Sequence, residues 1–507
     1  MSNDAGTADA ATGGTESQGE ATVERPSFAR RIAHLVGEDP DLVALRHVAP
    51  DGAETALTWA ELDRRSSQLA GALRGRGLGP ADRLGIGIPN TPELVLAALA
   101  AWKLGATPVP VRWDLPDWEL ERLRTVVDAT VHLDENDIEW IRATADAPVV
   151  ELPDAVSPHL NGICSSGSTG TPKVILMGRP GVYDEAYATP MIDMWEPVPR
   201  PQTILVLAPM YHTNGFSTLY NLMGGDRLVI LQKFDAARIV DVIERHRVTN
   251  FTCTPTMLKR IADLPDIDRR DLSSIEWILQ GAAPMPPSLV DRWAELIGYE
   301  KILMAYGMTE AIGITALRGD EWREHRGSVG RGLRGTEIRI FDTDRRPLPN
   351  GEVGDIYMRS PSYGGSTYLG AGQLEPTDDG FATVGDMGWL DDDGYLYLAD
   401  RRSDLILSGG ANVFPAEVET ALIDHPAVAD VVVIGLKDPE WGQRVHAVIE
   451  PKERGEPPAE ADVIAFAKQR LSAYKVPKSV EFVDAIPRSA ATKVNRRAMI
   501  DAREADR

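Results

Sequence analysis

The stretch Ser165-Ser166-Gly167-Ser168-Thr169-Gly170-Thr171-Pro172-Lys173 is the most informative segment of the chain. Four of its first five residues carry hydroxyl groups, two glycines interrupt it, and a lysine ends it. A glycine-rich backbone can wrap around an anion, so that N–H groups, hydroxyls and the lysine charge face its oxygens. The common loop G-x-x-x-x-G-K-[ST] is absent, because Pro172 stands where that pattern has its second glycine. The stretch leads into the apolar run Val174 to Met177, which favours a phosphate loop over a flexible linker.

Composition excludes several classes of protein. The 507 residues are enough for two or more domains, and a hydrophobic content of 43% excludes a disordered chain. The net charge of -23, from 53 basic and 76 acidic residues, argues against a general nucleic-acid binder and against docking on anionic lipid. The only cysteines, Cys164 and Cys253, exclude a disulfide scaffold, so a reducing cytoplasmic location is expected.

The N-terminal segment, residues 1–25, is predicted to be a disordered tail. Its first 22 residues are rich in Ala, Gly, Thr and Ser and contain no lysine or arginine, so they lack the basic start of a signal peptide. The best apolar run, Leu94 to Trp102, is broken by Lys103 and is too short to span a bilayer. A soluble protein without a membrane span is expected.

The middle of the chain alternates between apolar strand patterns and helical patterns, which predicts parallel sheets covered on both faces. The clearest segments are the helix from Thr58, the strand Leu84 to Ile88, the helix Pro92 to Leu104, and the strands Val109 to Val111, Thr203 to Leu207, Leu228 to Leu231 and Ile275 to Leu279. After about Gly327, short strands with close turns suggest a small antiparallel or barrel-like unit, at Glu337 to Phe341, Asp355 to Met358 and Tyr395 to Leu398.

A charged segment, Asp400 to Asp404, separates this part from a final α+β block. That block has helical patterns at Pro415 to His425 and Glu460 to Leu471 and a strand pattern at Val431 to Ile434. We therefore predict an α/β protein with a large N-terminal domain at residues 26–402, made of two α/β sheets and the barrel-like unit, and a small mobile α+β domain at residues 403–507.

Other segments carry groups suited to a nucleotide. Glu310, in Tyr306-Gly307-Met308-Thr309-Glu310, follows an apolar strand and is a candidate Mg²⁺ ligand, although a lone glutamate there is usually a solvated loop residue. Gly281-Ala282-Ala283-Pro284 would let a flat base lie against the backbone, or it is a plain turn. Asp386 could accept both hydroxyls of a ribose, or it is a turn aspartate.

Taken together and in order, these segments resemble the adenylate-forming superfamily of acyl-CoA synthetases, adenylation domains and luciferases. The resemblance runs from about Thr58 to Val494. Its most specific parts are the Ser/Thr/Gly stretch, Tyr306 to Glu310, Gly385-Asp386, Arg401 and Lys493 at the expected separations. Alone, Lys493 would be a surface lysine and His212 an ordinary core or loop histidine.

The resemblance implies a two-step ligase that uses ATP, Mg²⁺ and CoA. A carboxylate attacks the α-phosphate of ATP to give an acyl-adenylate and pyrophosphate, and a thiol then displaces AMP. It implies that the β- and γ-phosphates are held by Ser165, Ser166, Gly167, Ser168, Thr169, Gly170, Thr171 and Lys173, and that Glu310 binds Mg²⁺ with Thr309 near the α-phosphate. It implies that the adenylate is flanked by Gly281, Ala282, Ala283 and Tyr306 with Gly307 and Met308, and that its ribose is held by Asp386 and Arg401. It also implies that Lys493 bridges the reacting oxygens and that His212 lines or gates the acyl pocket.

The resemblance also implies that the C-terminal domain swings between the half-reactions about a hinge at Ser403. Ser408, Gly409 and Gly410 would then face CoA, where adjacent glycines let the pantetheine arm approach closely. The segment Leu407 to Glu419 favours the acyl-CoA ligase branch over peptide-synthetase domains, and no carrier domain is expected after Arg507. Luciferase chemistry is the less favoured alternative.

Two positions depart from the family pattern. The hinge is usually Lys or Asp but is Ser403 here, and the residue before the catalytic lysine is usually glycine but is Thr492 here, after Ala491. Threonine is β-branched and disfavours unusual backbone angles, so adenylation could be slow or lost. One alternative is therefore thioester formation only, from an acyl-adenylate supplied by a partner adenylating enzyme. A second alternative is an inactive nucleotide or acyl sensor.

The pocket for the acid is expected to be built from the region after His212 and the segments near Gly281 and Gly307. Its positions are small, which is compatible with a bulky or long apolar acid: Gly215, Ala282, Ala283, Gly307 and Gly313. The sequence contains no cluster of positive residues that marks a second carboxylate, so a hydrophobic monocarboxylate is expected.

Overall fold

The structure is a computed structural model that describes residues 25–165, 173–361, 365–370, 372–453, 455–488 and 494–505. The predicted tail, most of the phosphate stretch and the segment with Ala491, Thr492 and Lys493 lie outside these ranges.

The described helices are α1 (Phe28–Glu38), α2 (Trp59–Gly75), α3 (Pro92–Lys103), α4 (Asp117–Val127), α5 (Ile138–Ala143), α6 (Glu185–Ala188), α7 (Thr213–Phe216), α8 (Thr218–Met223), α9 (Ala236–His246), α10 (Pro255–Ala262), α11 (Pro287–Ile297), α12 (Gly319–Trp322), α13 (Pro415–Ile423), α14 (Glu460–Lys468) and α15 (Arg496–Ala505). Short 3-10 helices cover Glu135–Asp137, Thr144–Asp146, Met191–Met194, Ile267–Arg269 and Tyr299–Lys301.

The described strands are β1 (Val43–Val48), β2 (Glu54–Thr58), β3 (Arg83–Gly87), β4 (Thr107–Pro110), β5 (Val131–Asp134), β6 (Gly162–Ser165), β7 (Lys173–Leu176), β8 (Thr203–Val206), β9 (Arg227–Leu231), β10 (Asn250–Cys253), β11 (Trp277–Gln280), β12 (Ile302–Gly307), β13 (Ile314–Arg318), β14 (Arg331–Gly332), β15 (Glu337–Phe341), β16 (Gly354–Arg359), β17 (Thr367–Leu369), β18 (Asp386–Leu390), β19 (Leu396–Arg401), β20 (Ile406–Ser408), β21 (Ala411–Val413), β22 (Val428–Asp438), β23 (Gly442–Pro451) and β24 (Ser479–Phe482).

A nine-stranded sheet positions most of the candidate site. Its order is β14-β13-β12-β11-β10-β8-β9-β1-β2, and the strands from β12 through β1 run parallel. The parallel strands are apolar because helices cover the sheet, and α9, α10 and α11 bury Ile243, Leu258 and Trp293 in one core. The carboxyl ends of β11 and β12 therefore meet at one edge, as the sequence predicts.

A second, three-stranded parallel sheet has the order β4-β3-β5. Helix α3 packs with it and is buried along its whole length, which explains the apolar run from Leu94 to Trp102. Helix α2 begins at Trp59, and the side chain of Thr58 directly before it forms a capping box with Glu61.

Antiparallel strands form two further units. The predicted barrel-like unit is a four-stranded sheet with the order β15-β16-β18-β19. A separate sheet has the order β17-β7-β6, so that residues beyond 366 pair with the strand that follows the phosphate stretch. The sequence analysis does not predict this last pairing.

The C-terminal block is a sheet of β21-β20-β23-β22, with β24 beside β23, packed against helices α13 and α14 around a separate apolar core. Helix α13 ends at Ile423, two residues before the predicted end. The α/β fold class, with a large N-terminal part and a small C-terminal part, is confirmed. Within the described ranges, no helix is long and apolar enough to cross a membrane.

Candidate functional site

Tyr306 joins the end of β12 to the four-stranded sheet. Its hydroxyl donates a 2.7 Å hydrogen bond to Oδ2 of Asp386, and Arg401 Nε lies 3.0 Å from Oδ1 of the same carboxylate. Burial raises the pKa of Tyr306 well above its usual range, and the Asp386 charge adds to this, so the hydroxyl stays protonated as a donor. Asp386 and Arg401 are cross-strand partners at the ends of β18 and β19, which explains why residues distant in sequence meet here.

Glu310 is buried in the loop after β12 and is held by three groups. Lys173 Nζ lies 3.1 Å from its Oε1, and the Tyr368 hydroxyl lies 2.9 Å from the same oxygen. Ser366 Oγ donates a 3.0 Å hydrogen bond to the backbone oxygen of Glu310. The ammonium group of Lys173 also lies 4.4 Å from the centre of the Tyr368 ring. Tyr368 lies within β17 and Ser366 directly before it, and neither was predicted because no local motif connects them to Glu310.

The Glu310 site fits Mg²⁺ that arrives with a nucleotide. A cationic nitrogen already lies within hydrogen-bond distance of the carboxylate, so the place suits a positive charge. In the part of the chain that the structure describes, no group of three or more His, Cys, Asp or Glu side chains could hold a metal alone. Mg²⁺ commonly binds one or two carboxylates together with substrate phosphates, which matches this single glutamate.

The phosphate stretch is placed only by its two ends. Residues 166–172 lie outside the described ranges, but Ser165 and Lys173 are paired across the antiparallel strands β6 and β7. The stretch therefore starts and ends at one point, and Lys173 links that point to Glu310. Its predicted phosphate contacts stay a prediction.

Gly281, Ala282 and Ala283 follow β11 at the same sheet edge as Tyr306. Ala282 has a φ of 72°, which is unusual for a residue with a side chain. The Gln280 side chain donates hydrogen bonds to the backbone oxygens of Gly281 and Ala283, and Ala282 and Ala283 are exposed. This turn offers an open backbone surface without large side chains.

His212 stands at the start of helix α7, next to the loop that carries Glu310. The Thr213 and Thr309 hydroxyl oxygens lie 3.2 Å apart and join the two segments. Asn90 fixes the preceding turn, because its amide donates to the Ala208 oxygen and accepts from the Met210 N–H group. The structure thus brings His212 and Thr309 into one region.

One face of the nine-stranded sheet is partly open beside this region, and we name it the acyl groove. Because side chains alternate along strands, Thr252, Leu279, Ala305, Gly307 and Ile314 share this face, and none of them is fully buried. One end of the groove is closed by an apolar cluster in which Ile192 packs against Trp277 and Leu303, with Met191, Trp195 and Val198 around them.

Two of the small residues that were expected to widen the pocket are small for another reason. A Cβ atom on Gly215 would lie 2.4 Å from the Pro209 oxygen, and one on Gly313 would lie 2.8 Å from Met358 Sδ. Both glycines permit close packing and do not enlarge the groove. Gly307 has no such close neighbour, so it remains a groove residue.

Two positive side chains meet at one aromatic ring in the folded chain. Arg179 and Arg334, far apart in sequence, both approach the ring of Tyr187, with guanidinium carbons 3.4 and 5.9 Å from its centre. Because neither arginine lies next to another positive residue in the sequence, the pair is recognised only in the fold.

The candidate CoA segment is the turn between β20 and β21. Ser408 is buried, and Gly409 and Gly410 have φ values of 59° and 82°. The Gly409 N–H group donates to the Trp441 oxygen, and a Cβ atom on Gly409 would lie 2.7 Å from the Trp441 ring. Trp441 is 39% exposed, and Lys478 Nζ lies 5.0 Å from its ring centre, so an open aromatic surface beside a positive charge adjoins this turn.

The predicted hinge, Ser403, lies in the turn between β19 and β20, which connects the four-stranded sheet with the C-terminal block. Arg496 pairs with Asp404 at 3.2 Å and with Glu419 at 2.7 Å. It thereby ties the first residue of α15 to the hinge turn and to α13. Lys493 lies outside the described ranges, three residues before Arg496.

Comparison with known proteins agrees with this arrangement. Residues 32–159 and 160–369 match the AMP-binding enzyme family, and residues 417–493 match the AMP-binding enzyme C-terminal domain. A feruloyl-CoA synthase from Amycolatopsis sp is 33% identical over 479 residues, which cover 90% of this chain and 94% of that protein. The structure of o-succinylbenzoate CoA synthetase (MenE) from Bacillus subtilis with its acyl-adenylate intermediate superposes with a TM-score of 0.80 at 27% identity, covering 94% of this chain and 98% of that one. The same enzyme has been solved with ATP and magnesium ion, with a TM-score of 0.78 at 27% identity over 93% of this chain and 99% of that one.

These matches cover most of the described chain and include both parts of the fold. The chain belongs to the AMP-binding enzyme family and, within the adenylate-forming superfamily, to the branch of AMP-forming acid–CoA ligases.

Proposed function

We propose that this protein joins a carboxylic acid with an apolar body to CoA, in two steps through an acyl-adenylate, with release of pyrophosphate and AMP. The observation that carries the proposal is the hydrogen-bonded set of Tyr306, Asp386 and Arg401 beside the Glu310–Lys173 pair. Asp386 provides acceptors for the hydroxyls of a ribose, and Glu310 provides a carboxylate for a metal. Both groups lie near the carboxyl end of one parallel strand, β12. The relatives named for feruloyl and o-succinylbenzoate CoA ligation support an acid of this kind.

The nucleotide would lie across the ends of β11 and β12. The exposed turn at Gly281 to Ala283 accommodates the flat adenine, and Asp386 accepts hydrogen bonds from the ribose hydroxyls. Tyr306 and Arg401 orient that carboxylate, since both donate to it in the absence of nucleotide. Gly307 and Met308 lie between these groups and Thr309, which would approach the α-phosphate.

Glu310 would hold Mg²⁺, which neutralises phosphate charge and draws electrons from the phosphorus when it is bound. In the structure, Lys173 occupies the cationic position at Glu310, 3.1 Å from the carboxylate. With metal and nucleotide bound, Lys173 would be able to turn toward the phosphates together with residues Ser165 to Thr171, and Tyr368 would keep the Glu310 side chain in place.

The acid would enter the acyl groove with its carboxylate toward Thr309 and His212. The closed apolar end formed by Ile192, Trp277 and Leu303 buries its hydrocarbon body, because removing apolar surface from water is favourable. By the resemblance, Lys493 then bridges the carboxylate and the α-phosphate and stabilises the charge that develops there.

The second step would bring the turn at Ser408, Gly409 and Gly410 to the adenylate by rotation about Ser403. Because Ser403 is the proposed hinge, we place the boundary between the N-terminal and C-terminal domains between residues 402 and 403. Gly409 keeps the turn free of side-chain bulk where CoA would approach it, and the exposed ring of Trp441 lies beside that place. The CoA thiol attacks the acyl carbon, and AMP leaves.

The experiment that tests this proposal is product analysis with ATP, Mg²⁺, CoA and a panel of aromatic, alicyclic and aliphatic acids. Equal amounts of AMP, pyrophosphate and acyl-CoA are expected from at least one acid. No product from any acid would refute the ligase proposal and favour the sensor. Thioester formation only from added acyl-adenylate would favour the alternative that rests on Ala491 and Thr492, in which a partner supplies the intermediate.

A further inference from the structure

Within the described residues, Arg179 and Arg334 lack the carboxylate partners that other arginines of the chain have. Arg200 pairs with Asp226 at 2.8 Å, and Arg496 pairs with Glu419 at 2.7 Å. Among the described residues, neither Arg179 nor Arg334 forms an ion pair within 4 Å.

The Arg179 guanidinium is stacked against Tyr187 at 3.4 Å, and its Nε and Nη1 atoms are buried without a hydrogen-bond partner in the described ranges. Buried guanidinium N–H groups without acceptors are costly. Asp184 is the carboxylate whose charge acts on Arg334, and it is already paired with Arg25 at 3.0 Å. The fold therefore holds unused donors at this position.

Arg334 is the second positive charge at the same place. It is an exposed residue in the turn between β14 and β15. Burial lowers the pKa of Arg334, and the charge of Arg179 adds to this effect, so the two groups lie close enough to repel each other. An anion between them would remove the repulsion and supply the missing acceptors.

The position of the two arginines relative to the acyl groove follows from the backbone. Arg334 comes directly after Leu333, whose N–H group donates to the oxygen of Ile314, a groove residue on β13. Tyr187 belongs to α6, and the chain continues within four residues to Met191, which packs at the closed end of the groove. Arg334 is thus one residue from the backbone that bonds to β13, and Tyr187 is four residues from the closed end of the groove.

We propose that Arg179 and Arg334 bind a second carboxylate, carried by the distal part of the acid whose first carboxylate is activated. The substrate class is then a dicarboxylic acid with an apolar middle section that lies along the groove. Planar guanidinium groups bind carboxylates through paired hydrogen bonds, and Tyr187 holds the Arg179 plane in position. This inference rests on the proposed ligase function for its reaction and adds the feature that the acid must carry.

The test uses two acids that differ only in the second carboxylate, 4-phenylbutanoate and 4-(4-carboxyphenyl)butanoate. The variants are Arg334→Gln and Arg179→Gln, with Arg346→Gln as control, because Arg346 is an exposed arginine paired with Asp344 in a turn. Acyl-CoA formation gives kcat/KM for each acid, and calorimetry with each acid in the presence of AMP gives binding without turnover.

We expect wild type to prefer the dicarboxylate by at least about tenfold. Arg334→Gln should lose about 10- to 100-fold in affinity and kcat/KM for the dicarboxylate, as expected for a charged hydrogen-bonded contact, and should keep its values for the monocarboxylate. Arg346→Gln should match wild type with both acids.

The inference is overturned if wild type binds the two acids equally, or if the arginine variants lose the same factor for both. Arg334→Gln, at an exposed position, keeps the test valid if Arg179→Gln fails to fold. A lack of turnover with either acid would count against the ligase function, whereas the calorimetric difference between the acids would still decide the arginine site.

Discussion

The strongest single prediction concerns Tyr368, which no sequence motif marked. Its hydroxyl lies 2.9 Å from Oε1 of Glu310, and the side chain is only 8% exposed. Replacing Tyr368 with Phe removes this donor and leaves the ring that packs under Lys173. A hydrogen bond to a charged group contributes about 1.5 to 3 kcal/mol, so the loss of Glu310 orientation should weaken metal–nucleotide binding by about 10- to 100-fold.

The assay measures binding of Mn²⁺ with a non-hydrolysable ATP analogue by electron paramagnetic resonance, together with the Mg²⁺ dependence of acyl-CoA formation. Tyr368→Phe should need more metal but approach the wild-type rate at saturating metal, because Glu310 itself remains. The matched control is Tyr397→Phe, which removes a 3.2 Å tyrosine–carboxylate hydrogen bond to Asp391. The reasoning is refuted if Tyr368→Phe binds metal–nucleotide within twofold of wild type, or if Tyr397→Phe shifts it equally.

Three further changes test other parts of the account. Asp386→Asn keeps the side-chain volume but removes the charge that would accept ribose hydroxyls, and calorimetry should find ATP binding at least about tenfold weaker with an unchanged melting temperature; unchanged affinity would contradict the assignment. Gly409→Ala places a methyl group 2.7 Å from the Trp441 ring, so CoA-dependent thioester formation should fall at least about tenfold while acid-dependent pyrophosphate exchange persists. Gly394→Ala controls for strain, because Gly394 has a φ of 79° and open space around its Cβ position; an equal effect in both variants would count against a CoA role. Burial raises the pKa of Asp400 to about 6, so folding favours the protonated side chain. Urea unfolding should therefore show that wild type loses at most about 3 kcal/mol of stability relative to Asp400→Asn as the pH rises from about 4 to above 6. A difference in stability that does not depend on pH would contradict this sign.

Much of the fold could be predicted because hydrophobic periodicity is a local property. The strand at Glu337 to Phe341 has the predicted bounds, and the helix from Pro92 ends one residue before the predicted Leu104. Helix α13 ends earlier than predicted because Pro426 follows, and a proline disfavours helical backbone in the residue before it. The pairing of β17 with β7 was missed because 195 residues separate Leu369 from its partner Val174, and no local pattern encodes such a contact.

In the candidate site, too, residues in local motifs were predicted, and residues that depend on long-range contacts were missed. Tyr306, Asp386 and Arg401 were identified as separate motifs, and the structure joins them through one carboxylate. Tyr368 and the Arg179–Arg334 pair were missed because each owes its chemistry to a neighbour that only the tertiary fold supplies. Gly215 and Gly313 were misinterpreted as pocket space, since a glycine in sequence does not distinguish an open cavity from a close backbone approach.

The central claim is that this chain activates an acid at the Tyr306–Asp386–Glu310 site and transfers it to CoA. The most direct measurement is exchange of labelled pyrophosphate into ATP without CoA, for each of the paired acids used above. The account predicts acid-dependent exchange that is lost in Asp386→Ala and gives way to acyl-CoA and AMP when CoA is added. Absence of exchange with every acid, under conditions where wild type binds ATP and Mg²⁺, would contradict it.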